Sequence, residues 1–150
     1  MQDFADGLQV VDFIYGLLDT KKAELGIKYI ARIDENLIPE YPAMLINLGP
    51  VTRELHATQM FRVVFALDIW VFHAELTVGK AIRSRADVEL ATNIRKLLHE
   101  YRTLEGHIVH GFVNGEFPGQ TTRIVGTKTS SIVTTRLSWE GENRVRFQDS

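Results

Sequence analysis

Five histidines are the first residues to test for chemistry, because the 150-residue chain contains no cysteine. Without thiols there are no disulfides, no thiolate metal sites and no cysteine nucleophile. His107 and His110 stand closest together, but three residues apart in a strand they point to opposite faces and cannot share an ion without a bulge. His73 continues an apolar strand face, His56 precedes that strand, and His99 lies beside Lys96 in a helical stretch. Zinc sites gather their ligands at tighter spacing. The histidines therefore read as structural or solvated, and neither a metal nor another cofactor is expected.

Nucleophilic and nucleotide chemistry find no motif either. There is no G-x-S-x-G elbow, no P-loop and no G-x-G-x-x-G turn. Asp68 is the unusual carboxylate, a charge inside an apolar strand, and a raised pKa could make such a group a general base. An aspartate with no second acid, metal site or recognisable pocket is not an active site. Asp68 is expected instead on the exposed side of its strand, paired with Arg62 or with a base on a neighbouring strand or subunit. No enzymatic activity is expected.

The element that positions these residues runs from Ala57 to Leu76, ATQMFRVVFALDIWVFHAEL. Odd positions 61 to 71 are all apolar, whereas the even positions are Arg62, Val64, Ala66, Asp68, Trp70 and Phe72. Side chains alternate along a strand, so one face is wholly apolar and the other is mixed. Unbroken, this strand would reach about 65 Å, so it either bends or projects beyond its own core. The mixed face, with Arg62, Asp68, Trp70 and Phe72, is where a neighbouring subunit is expected.

The length suits a single domain over 1–150 with a real core. A net charge of −2 argues against a dedicated nucleic-acid binder. Residues 1–40 hold eight acids and four bases, a net of −4, which leaves +2 for the rest. An acidic end meeting a more basic part of a neighbour would set register in an assembly. The first residues have acids where a secretory signal needs bases, and polar residues interrupt their apolar positions. Neither a signal peptide nor a membrane span is expected there.

Helical spacing covers residues 7–25, with Asp6 as N-cap and Gly26 as the left-handed C-terminal residue. A short strand from Ile27 to about Ile33 follows, then an acidic proline loop carrying Asp34, Glu35 and Glu40. Ala43–Leu48 reads as a strand ended by Gly49-Pro50, and Val51–Gln59 either pairs separately or lengthens the central strand. A second helix is predicted over about 83–101, with Ser84 and Asp87 forming a capping box. Its charged face carries a net +3 over 80–102, read as a solvated surface rather than a phosphate site. The last third is again β: HIVHGFVNGEF reads as a strand broken at Gly111 and Gly115, PGQTT as a turn, TRIVGTKT as an edge-like strand and SIVTTRLSW as a strand from Ser131 to Trp139. Residues 115–131, with Arg123 and Lys128, are expected as a flexible loop that orders on a partner, and 141–150 as a polar C-terminal tail. The predicted class is α+β, two helices packed on a mostly antiparallel sheet in the order α-β-β-β-α-β-β.

This order resembles the tail terminator (tail completion) proteins of long-tailed bacteriophages over nearly the whole chain. The resemblance rests on the loop and strand PEYPAMLINLGP, the long strand FRVVFALDIWVFHAEL followed at once by ADVELATNIRKLLHEY, and the turn RTLEGHIVHGFV. Where that family often has a Leu-Gly-Gly-like turn, this chain has Leu104-Glu105-Gly106. The resemblance implies a virion protein, assembled in the host cytoplasm, whose homohexameric ring caps the tail tube, ends its polymerisation and presents the head-joining surface. Its partners would be itself, the tube protein and the head-tail connector, with DNA passing through without specific binding. Other readings are a neck adaptor or tube-like tail protein, a small-ligand-binding or enzymatic α+β domain centred on Asp68 or the histidines, and a general protein-interaction module. On charge and expected exposure, Asp34, Glu35, Glu40, Arg123 and Lys128 are the leading loop contacts.

Overall fold

A computed structural model describes residues 7–32, 39–57, 59–75, 84–125 and 128–146. Among these, two helices and five strands follow the order α1 (Gly7–Leu25), β1 (Tyr29–Ala31), β2 (Ala43–Ala57), β3 (Met60–Glu75), α2 (Arg85–Glu100), β4 (His110–Val125) and β5 (Lys128–Arg146). The strands form one sheet ordered β1-β2-β3-β5-β4. Only β1 runs parallel to its neighbour, pairing Tyr29–Ala31 with Ala43–Leu45. The other pairings are antiparallel. The protein is an α+β fold.

Both helices form where their apolar spacing and caps require. α1 turns Val10, Val11, Ile14 and Leu18 inward and ends at Gly26, whose φ of +80° suits a residue without a Cβ. The expected cap at Asp6 lies outside the described residues. α2 starts at the predicted capping box: the Ser84 hydroxyl accepts the Asp87 N–H, and the Asp87 carboxylate accepts the Ser84 N–H. Its buried Leu90, Ala91, Ile94 and Leu98 meet the same core as α1. That core is the odd face of β3, Val63 to Val71, extended by Met44 and Ile46 of β2 and by Leu137 and Trp139 of β5. The helices thus cover one face of the sheet and leave most of the other bare.

Three segments depart from the sequence reading. β2 does not end at Gly49-Pro50, because a register shift between Leu48 and Val51 absorbs the pair and the strand continues to Ala57. A bulge accommodates a residue that lacks an N–H. The expected turn at Pro118-Gly119 is strand: β4 crosses it unbroken, and the hairpin closes where Val125 faces Lys128. Proline fits there because β4 is an edge strand, whose outer side needs no donor. The expected flexible loop over 115–131 is therefore mostly the paired arms of a long hairpin, with only 126–127 outside the described residues. The expected polar tail from 141 is likewise the end of β5, which pairs with β3 up to Arg146.

Candidate functional site

The helix-free face of the sheet gathers charged and aromatic side chains because residues directly opposite on paired strands share a face. Along β3, Arg62 faces Glu54 and Arg144, Val64 faces Glu142, Ala66 faces Glu140, and Trp70 faces Arg136. β4 adds His110 opposite Glu142, Phe112 opposite Glu140 and Phe117 opposite Arg136. Two clusters result.

The first centres on Arg136. Its guanidinium donates to Asp68 at 2.9 Å, lies 4.4 Å from the Phe117 ring centre and reaches Trp70 at 5.9 Å. Asp68 is thus paired with a base on the neighbouring strand, one of the two arrangements expected. Phe117 stays 48% exposed and Phe112 43% exposed. Partly exposed Trp, Arg and Phe side chains gathered in one patch have the composition of a protein-contact centre.

The second centres on Glu142, whose side chain is 8% exposed. It accepts from Arg62 Nε at 2.6 Å, with Arg144 at 3.4 Å and His110 at 3.2 Å, while Arg62 also reaches Glu54 at 3.6 Å. Burial pushes the Glu142 carboxyl up, but the Arg62 hydrogen bond and the charges of Arg62, Arg144 and His110 outweigh it and hold the carboxyl below its ordinary range. The same hydrogen bond, joined by the Glu142 charge, raises Arg62. Arg62, Arg136 and Arg144 each sit within 3.4 Å of a carboxylate. A face whose arginines are already neutralised is a poor holder of a phosphate backbone.

A third constellation lies inside the molecule. His73 stands at a register shift in β3; its Nε2 is 2.8 Å from the Thr135 hydroxyl and its Nδ1 is 3.5 Å from the Asp87 carboxylate. The order acid, imidazole, hydroxyl is that of a hydrolytic triad. Thr135 is wholly buried, however, and so is the His73 side chain, so no substrate reaches the hydroxyl. The trio ties the start of α2 to the sheet. His99 acts similarly, its Nε2 accepting the Val113 N–H at 2.9 Å. His107 stacks on Phe13 at 3.9 Å. Among the described residues, no group of three histidines or carboxylates could hold a metal ion.

Of the residues singled out from sequence, Arg62, Asp68 and Trp70 lie together on the helix-free face, half-buried. Phe72 does not join them as a contact surface. It is 1% exposed, closed into a small second core with Ala31, Ala43, Leu45 and Ile132, with Tyr29 and Tyr41 packed against it. Alternation placed it on the correct face, but β1 and Tyr41 cover that end. Glu40 is exposed, whereas Asp34 and Glu35 lie outside the described residues. Arg123 pairs with Ser130 and Lys128 with Val125 at the hairpin end. Arg136, Phe117 and Glu142 were missed. The signal for Arg136 and Glu142 was the polar alternation 136, 138, 140, 142, 144, which continues the strand beyond Trp139.

No protein-family model matches the chain, and no curated protein matches it. Among the described residues, no helix is long and apolar enough to cross a membrane.

Proposed function

We propose that this protein is a structural virion component that forms a ring at the end of a bacteriophage tail tube, ends tube growth and offers the surface on which the head is joined. The observation that carries the reading is a sheet with two long, unlike edges that, among the described residues, no further strand covers. β1 pairs with only Ala43–Leu45, so β2 from Ile46 to Ala57 has no outer strand among the described residues; β4 has none either, although the Arg102 carbonyl and His99 Nε2 accept its Gly111 and Val113 N–H groups near its start. An uncovered edge presents a row of backbone donors and acceptors that a lone monomer would have to hide. A ring closes through head-to-tail contacts between two different surfaces, and two unlike edges supply that asymmetry. The arginine–aromatic patch beside them supports the same reading. The self-neutralised charges of that face suit a conduit through which DNA passes without being held.

The test is deletion of the gene from its phage. Tails of irregular length that fail to attach heads are expected, and uniform, head-attached tails in its absence would refute the proposal. Labelled protein located by electron microscopy separates the tube end from a position in the neck or along the tube. For the enzymatic alternative, Asp68→Asn should leave no lost turnover to find, because Asp68 is held by Arg136.

A further inference from the structure

A groove of about 500 Å³ runs along α1, facing the turn that follows α2. Phe13, Leu17 and Leu104 give it an apolar lining, and Asp12 and Glu105 bring carboxylates to it. One of its features is not demanded by the packing of the described residues. Gly16 lies in the interior of α1, where glycine is less favourable than alanine. A Cβ built there would meet nothing within 4 Å, so no neighbour among the described residues requires the glycine. On the opposite wall, Leu104 and Glu105 hold φ values of 47° and 59°, the left-handed region that side chains avoid. That turn serves the chain's own fold: Leu104 is buried in the core, and the Leu104 carbonyl accepts the His107 N–H.

The hairpin joining β2 to β3 presents a matching surface. Arg53 and Leu55 pair across with Val63 and Phe61, which places them on the helix-bearing face of the sheet. The helices do not cover them: Leu55 is 66% exposed and Arg53 is exposed. Arg53 has no ion pair among the described residues, and neither does Glu105. Asp12 is already bonded to Arg32, and Lys21, the cation of the lining, is paired with Glu24, which leaves Glu105 as the open charge of the groove.

We propose that the β2–β3 hairpin tip of one copy seats in the α1 groove of the next copy. Leu55 enters against Phe13, Leu17 and Leu104, the hairpin backbone approaches Gly16, and Arg53 meets Glu105. Tip and groove are different surfaces, so the contact is head-to-tail and repeats around a ring. This inference rests on the ring reading and adds the pair of surfaces that seals it.

The absence of native cysteine makes disulfide trapping clean. Gly16→Cys and Leu55→Cys, combined in one chain, should give a ladder of disulfide-linked oligomers on oxidation, because bridging requires Cα atoms about 4.4–6.8 Å apart. Leu55→Cys with Arg85→Cys, whose side chain is 94% exposed, sets the background of random collision. Gly16→Trp should fill the groove and weaken self-association at least tenfold with an unchanged melting temperature. A ladder no stronger than background, or undiminished association of Gly16→Trp, overturns the inference. Sedimentation of the unmodified chain separates the two readings. Self-association without the ladder rejects the docking mode alone, whereas the ring itself falls if association is absent and gene deletion leaves tails normal.

Discussion

Arg62 of β3 and Glu142 of β5 are joined by a 2.6 Å hydrogen bond on the helix-free face, which makes Glu142 the acid-sensitive point of that end of the sheet. Its carboxyl is held below the ordinary value of 4.5 by Arg62, Arg144 and His110, against the upward push of burial. A carboxyl lowered in the folded state contributes its full stabilisation above the ordinary value and loses it as pH falls through the lowered one. Urea unfolding followed from pH 7 to pH 3 should therefore show stability falling below about pH 5. Glu142→Gln should be less stable than the parent at pH 7 and show a flatter decline in the acid window. An identical acid slope in parent and variant would remove Glu142 from this role.

Trp139 lies over two glycines that face each other across β4 and β5, Gly111 and Gly141. A Cβ at Gly111 would fall 2.1 Å from the indole, and one at Gly141 2.3 Å. Gly111→Ala should cost about 3 kcal/mol, the upper end for overpacking. Adding Trp139→Leu should recover part of that loss, because contacting residues are energetically coupled. Equilibrium denaturation of the two single variants and the double variant measures the coupling, and simple additivity would contradict this packing.

The start of α2 is fixed twice, by its cap and by the buried histidine. Ser84→Ala removes the hydroxyl that accepts the Asp87 N–H and should cost about 1 kcal/mol. Thr135→Val removes the hydroxyl 2.8 Å from His73 Nε2 and should cost about 1–3 kcal/mol. Thermal melts read both. Thr135→Val matching the parent within error would show that the hydroxyl carries no weight.

Phe117 and Arg136 should separate assembly from folding. Phe117→Ser changes a side chain that is already 48% exposed, so stability should stay within about 0.5 kcal/mol. Ring formation, or binding to tails that lack the protein, should fall about tenfold, as for an aromatic anchor beside an arginine. Full assembly by Phe117→Ser would place the contact elsewhere on the sheet.

Much of the architecture was legible because periodicity and end signals agreed. α1 carried its 3.6 spacing and Gly26, α2 its spacing and the Ser84–Asp87 box, and β3 its apolar odd face. The strands of the second hairpin were legible but not the continuity and length of its arms, for an identifiable reason. Pro118-Gly119 has turn chemistry, yet it sits on an edge strand where an absent N–H is harmless. Beyond Trp139 the inward positions are Gly141 and Asn143, so the apolar half of the alternation vanishes where the indole needs room. Phe72 marks a different limit. Alternation assigns a face, whereas the cover that Tyr29 and Tyr41 provide is a long-range contact with no trace in local spacing. The arginine–carboxylate pairs depend on β3 meeting β5, a register that pattern alone does not fix.

That register also bears on how the chain reaches its native state. β2 with β3 and β4 with β5 are hairpins of sequence-adjacent strands, each able to zip from its own turn. The seam between them joins partners as distant as Met60 and Arg146 and must bridge the whole of α2. Closing so long a loop precedes any return from its contacts, so this seam should be the slowest pairing of the sheet to form. Until it closes, the inner borders of both hairpins stand as open as the outer ones. A chain with open strand borders is most vulnerable to mispairing with other copies in that interval, and temperature and concentration during refolding should govern its yield.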